Sequence, residues 1–111
     1  MGSCVEKNCS EMSISREAQD EFAYHSQRKA LEAIEAGRFK SGIIPIDVEQ
    51  VYLDEAGKRQ VRNYVADTDD GVRRGTTAQG LSRLRPVFDA KGTVTAGNAS
   101  QTSDGAAFVI L

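Results

Sequence analysis

Arg73 and Arg74 stand in the segment GVRRGTT, just ahead of two threonines able to cap a helix. Guanidinium groups beside helix N-terminal amides suit a phosphate. The plainer alternative is a pair of surface arginines balancing Asp67, Asp69 and Asp70 just upstream. A second segment, Gly92 to Ala107, reads GTVTAGNASQTSDGAA. It holds no strong acid or base pair. Gly97 allows another group to come close to the backbone. Ser100 offers a hydroxyl and Asn98 an amide for orienting hydrogen bonds. Such a loop suits an amide-rich ligand or a neighbouring active-site loop; otherwise it is a turn bonded only to itself.

Other reactive side chains are few. Cys4 and Cys9 match neither a C-x-x-C redox pair nor half of a four-ligand zinc site. A cysteine nucleophile needs a base or a positive field. His25 is the single histidine, and a lone histidine on a helix is more often a surface residue. Both cysteines are more often small apolar fillers. Asp69-Asp70-Gly71 lacks the closing glutamate of a calcium loop, so a solvated acidic loop is expected and no metal.

The 111 residues suffice for one domain of ordinary size. Hydrophobic residues make up 40% and charged ones 27%, as in soluble globular domains. The net charge is -2 with both signs interspersed, which argues against nucleic acid or an anionic membrane as partner. No apolar run of about 18 residues is present to cross a bilayer. The start, MGSCVEKNCSEM, lacks the apolar core of a secretory signal. Glu6 occupies the position where a myristoylation motif calls for Ser or Thr. The expected compartment is the cytoplasm, or an organellar matrix in a eukaryote, with the thiols unpaired.

These side chains need a scaffold. A short first helix is expected, with Cys4, Val5, Asn8, Cys9 and Met12 as its buried stripe. Ser15 is placed to cap a second helix over about Arg16 to Ala36. Its apolar stripe would be Ala18, Phe22, Ala23, Ala30, Leu31 and Ile34, and Gly37 its terminator. Residues 43–48 and 51–53 read as extended, with Pro45 marking a strand end or an edge. Asp54 to Lys58 reads as a turn, and Val61 to Val65 as the returning strand. Thr76 or Thr77 would cap a short helix through Leu84, stopped by Pro86. A buried strand is expected from about Ala106 through the apolar tail Phe108-Val109-Ile110-Leu111. The order gives a mixed α/β unit. A chain that stops within its most apolar run reads as cut.

In combination these segments resemble the thiolase family, whose members cleave or form 3-ketoacyl-CoA. The resemblance rests on Met1-Gly2, SISREAQDEFA at Ser13 to Ala23, and EAGRFKSGIIPI at Glu35 to Ile46. It continues through GVRRGTT at Gly71 to Thr77, LRPVF at Leu84 to Phe88, and the Gly92 to Ala107 segment. The last is the most specific, in that order after the others. The hairpin around residues 48 to 68 stands outside it.

The resemblance implies the inserted loop domain of the thiolase fold over residues 1–92. Residues 93–111 would be the CoA-facing loop and the start of a core strand. That domain covers CoA and helps subunits associate, so CoA or acyl-CoA is implied as substrate and a homo-oligomer as assembly. No covalently bound cofactor is implied. Arg73 would meet the adenine and phosphate end of CoA, and Leu81, Val87 and Phe88 would form an apolar wall. Ala96 and Ser100 would line the pantetheine arm, and Met1 would lie near the acyl end. Arg74 departs from many relatives. SQTSDG after Ala99 leans towards the degradative 3-ketoacyl-CoA enzymes.

The family's nucleophilic cysteine, in a Cys-small-Ser context, lies upstream of the matched region. Its Gly-His-Pro histidine and second cysteine lie downstream. Cys4 and Cys9 match neither motif, so no catalytic residue is expected here and the chain alone is expected to be inactive. The expected function is therefore part of an acyl-CoA acyltransferase working through a Cys acyl-enzyme. The alternative is a standalone, non-catalytic CoA-binding or oligomerisation module.

Overall fold

The chain opens on a helix, α1 (Gly2–Glu11), in a computed structural model that describes all of Met1 to Leu111. Cys9 is its one buried residue. Cys4, Val5, Asn8 and Met12 face solvent, so the expected five-residue stripe reduces to one. The helix meets the rest of the chain at Gly2, over which the Phe88 ring lies, and at Glu6, which bonds residues 93 and 94. Ser13 then takes a left-handed φ of 55°, which reverses the chain into the next helix.

That helix is α2 (Arg16–Glu35). The Ser15 hydroxyl accepts from the Ala18 N–H at 3.2 Å, as the sequence predicts. The Glu17 carboxyl is held below its usual range by its own backbone N–H and by Ser15. At the far end Gly37 adopts φ +68°, Gly37 N donates to Ile34 O, and Arg38 N donates to Ala33 O. This is the Schellman arrangement, and it needs a residue without Cβ strain at Gly37. The apolar stripe is a correction. Phe22 is 78% exposed and Ala18 is exposed, while Ala23, Ala30, Leu31 and Ile34 are only half-buried. The single buried residue of α2 is Asp20.

Two antiparallel strands follow, β1 (Ile46–Leu53) and β2 (Arg59–Ala66), in register from Ile46 opposite Ala66 to Leu53 opposite Arg59. Pro45 precedes the first paired residue, where a missing N–H costs nothing. The turn is built by Asp54, whose carboxylate accepts from Ala56 N, Lys58 N and Gln60 Nε2 at 2.8 to 3.0 Å. The Asp54 carboxyl is accordingly held low, first by Gln60 and then by Lys58. Gly57 supplies φ +74°. Neither strand packs on a helix.

The third helix, α3 (Ala78–Ser82), is capped by Thr77, whose hydroxyl accepts from Gly80 N at 3.0 Å. It ends before Leu84. Pro86 instead forms a lone bridge with Thr95, beside a Val87 N to Val94 O bond of 3.0 Å. The expected strand at the tail is a second correction. Residues 101–111 have no regular structure, and Phe108 and Ile110 are 95% and 98% exposed. A strand exists only by pairing, and the tail pairs with no other segment.

Helices and an antiparallel hairpin make the mixed α/β class that the sequence predicts. Only Cys9, Asp20, Leu81, Val94 and Thr95 are buried. They gather where α1, the start of α2, α3 and residues 93–95 meet. The accessible surface is 9639 Å² and the radius of gyration 18.0 Å. A closed domain of this length would have about 6000 Å² and about 13 Å. The elements are therefore spread rather than wrapped round a core of their own.

Candidate functional site

A cleft of about 850 Å³ runs along α2, the loop before α3, α3 itself and the glycine-bearing loop. Arg73, Leu81, Val87, Phe88, Ala96 and Ser100 all line it. These residues span much of the sequence, and the fold brings them to one surface. Met1 does not line the cleft. It is fully exposed at the head of α1, next to Gly2, over which the Phe88 ring lies close enough to occupy the place of a Cβ.

The cleft has a cationic end and an apolar wall. At the cationic end the Arg73 backbone N–H donates to Gln27 Oε1 at 2.9 Å, which fixes the loop to α2. The Arg73 guanidinium makes no ion pair and is exposed. Arg74 behaves differently: its Nη1 meets Glu35 Oε1 at 3.0 Å, so its charge is answered by α2 rather than by the upstream aspartates. Asp69 Oδ1 accepts from Gly71 N at 2.8 Å and so shapes the turn into this loop.

The apolar wall is built on Leu81, buried near the end of α3, with Leu84, Val87 and Phe88 beyond it. Gly97 presses against this wall. A Cβ there would overlap the methyls of Leu81 and Leu84, so the close approach predicted for Gly97 is made within the chain. The Asn98 amide is also used internally. Its oxygen accepts from Thr95 N at 2.7 Å, and its nitrogen donates to Asp20 Oδ1 at 2.9 Å and to Thr93 O at 3.1 Å. Ser100 retains a nearly free hydroxyl, with one long bond of 3.4 Å to Gln101 O.

A second set of bonds holds the start of this loop. Both Glu6 oxygens accept from Thr93 N, and one also from Val94 N at 2.9 Å. These donors, Thr93 N foremost, hold the Glu6 carboxyl below its ordinary range against a smaller opposing effect of burial. Gly92 leaves room for that carboxylate, which would collide with a Cβ. Gln19 Nε2 adds a bond to Thr93 Oγ1 at 2.9 Å.

The reactive side chains are not assembled. His25 lies 3.7 Å from Glu21 on the same helix and hydrogen-bonds to neither cysteine. Cys4 is exposed and Cys9 buried. Sequence reasoning missed Phe22 and Gln27 as lining residues. Phe22 sits at helical spacing within an apolar stripe, which reads as core, and Gln27 carries no signal at all. The Arg16–Asp20 ion pair, Nε to Oδ2 at 2.8 Å along α2, was legible in principle, because residues four apart share a helix face.

An arginine-bearing loop, an apolar wall and a small polar loop converge on one cleft of a mixed α/β scaffold. A family model, thiolase N-terminal domain, matches residues 1–111, and the chain belongs to the thiolase family. It is 47% identical over its whole length to the 3-ketoacyl-CoA thiolase of Bacillus subtilis, of which it covers 28%. It is 50% identical to the peroxisomal 3-ketoacyl-CoA thiolase A of Candida tropicalis, covering 26% of that protein. It is also 49% identical to the acetyl-CoA acetyltransferase of Thiocystis violacea, again covering 26%. The crystal structure of the Bacillus anthracis acetyl-CoA acetyltransferase superposes with a TM-score of 0.78 at 38% identity, over 90% of this chain and 23% of that one. The chain thus spans about a quarter of the length of its curated relatives.

Proposed function

We propose that this chain covers the CoA moiety in an acyl-CoA acyltransferase that forms or cleaves 3-ketoacyl-CoA. Residues 1–92 form the covering loop domain, and residues 93–111 carry the CoA-facing loop out of it. One observation carries the reading: an unpaired guanidinium, an apolar wall and a weakly bonded hydroxyl, distant in sequence, line one cleft. CoA presents phosphates, a flexible arm and two amides in that order. Arg73 answers the phosphates. Leu81, Val87, Phe88 and Ala96 lie along the arm, and Ser100 bonds an amide. Met1 stands towards the acyl end, beyond Phe88. CoA enters as substrate, and no covalently held cofactor is invoked.

In the whole enzyme a cysteine thiolate outside these residues attacks the 3-keto carbon. Cleavage of the adjacent carbon–carbon bond leaves the acyl group on sulfur and releases acetyl-CoA after protonation. The thiol of a second CoA then takes the acyl group and returns the cysteine. Cys4, Cys9 and His25 have no geometry for those roles. The chain by itself therefore binds and does not turn over. That same observation favours a second reading, a non-catalytic CoA-binding or oligomerisation module. Co-expression with a polypeptide carrying the missing cysteine and histidine separates the two, since only the first reading predicts restored thiolysis. The exposed apolar surface supports association with further copies of the chain. No helix here is long and apolar enough to cross a membrane, and the lack of a basic patch favours no nucleic-acid partner.

Calorimetric titration of CoA tests the reading. Arg73→Ala is expected to weaken binding about fivefold, the worth of one exposed charge pair. Equal affinity of the two proteins contradicts it.

A further inference from the structure

We propose that Asp20 is a positioning residue for the CoA cleft, an inference that rests on the CoA reading above. Asp20 never touches the cleft. It is 5% exposed, an ionisable group buried on a helix whose other residues are not. A carboxylate is tolerated in such a place only when both oxygens are answered. Each oxygen of Asp20 serves a different wall of the cleft.

One branch runs through Arg16. Its Nε donates to Asp20 Oδ2 at 2.8 Å, which fixes the plane of the guanidinium. The same guanidinium then donates through Nη2 to Leu81 O at 2.8 Å and Leu84 O at 3.1 Å. Those carbonyls lie in the last turn of α3 and just beyond it, where backbone acceptors have lone pairs to spare. The apolar wall is thereby tied to α2. The other branch runs through Asn98, whose Nδ2 donates to Asp20 Oδ1 at 2.9 Å. Its Oδ1 then accepts from Thr95 N, which sets the loop that presents Ala96 and Ser100. The spacing between the two walls is therefore referred to one buried carboxylate.

The chemistry explains why this residue is an acid. Two donors converge on it, Arg16 Nε and Asn98 Nδ2. A carboxylate accepts both. An amide accepts one and points its own donor at the other, so Asp20→Asn breaks one branch in either orientation.

The test compares the wild-type chain with Asp20→Asn in CoA titration and in residue-resolved amide exchange. Asp20→Asn is expected to weaken CoA binding roughly tenfold, since a loop loosened in the free chain must be ordered again when CoA binds. Exchange is expected to quicken at Thr95, Gly97 and Ala99 and to stay unchanged in the hairpin, residues 46–66. Wild-type CoA affinity in folded Asp20→Asn overturns the proposal, as does equal quickening of loop and hairpin. If Asp20→Asn does not fold, Arg16→Lys and Asn98→Ala each cut one branch. Each is then expected to weaken CoA binding, and wild-type affinity in either overturns the proposal. If the wild-type chain binds no CoA, the CoA reading itself fails, and the exchange pattern alone decides whether Asp20 positions the loop.

Discussion

Glu6 sits on the exposed first helix, yet both its oxygens face backbone N–H groups 87 and 88 residues later in the chain. A carboxylate held by such donors loses its proton at lower pH than a free one. The sign follows from linkage. The folded pKa lies below the ordinary value of 4.5, so Glu6 contributes stability that is fully present above that value. It is lost as pH falls through the depressed folded pKa. Urea unfolding across pH is expected to show wild-type more stable than Glu6→Gln above about pH 5, with the gap closing in acid. A gap that stays constant into strong acid would contradict the role given to the carboxylate. Asp20 is the matching residue on α2. Neither contact was visible in sequence, because nothing local links Glu6 to Thr93 or Asp20 to Asn98. Arg73 and Ser100 were legible, since a loop arginine before a capped helix and a hydroxyl in a small-residue loop are local patterns.

At the scale of elements, the caps and turns are local chemistry and read true from the sequence. Ser15 begins α2, Gly37 ends it, Thr77 begins α3, and Asp54 with Gly57 turns the hairpin. Ser15→Ala removes an acceptor from the Ala18 N–H and is expected to cost about 1 kcal/mol by thermal or urea unfolding. An unchanged midpoint would mean that the first turn of α2 is held from elsewhere. The apolar stripes were misread for one reason. Periodicity shows that a face is apolar and says nothing of what covers it. On α1 and α2 no other element of the chain lies across most of those faces, so Met12 and Phe22 are exposed. The tail failed by the same physics, since β-propensity without a paired partner strand yields no strand.

For the whole molecule, surface area exceeds that of a closed domain by about 60% and radius by about 40%. The hairpin stands clear of the helices with Val51, Val61 and Val65 exposed, and the tail exposes Phe108 through Leu111. Such faces associate in water. Light scattering is expected to show dimers or larger species, and a Phe108→Ser, Ile110→Ser variant a shift towards monomer. A clean wild-type monomer at high concentration would contradict this. The fold class and the family were legible in the order of the motifs. The openness of the structure was not, because it depends on which surfaces go uncovered.

The central claim is that CoA lies between the Arg73 loop and the Ser100 loop. Titration of CoA into the labelled chain, with Arg73→Ala alongside and each backbone amide followed by NMR, tests it most directly. Saturable shifts are predicted at residues 71–77, at Leu81 and at 96–101, weaker in Arg73→Ala, with the hairpin amides of residues 46–66 unmoved. Shifts confined to the hairpin, or none at saturating CoA, would contradict the account.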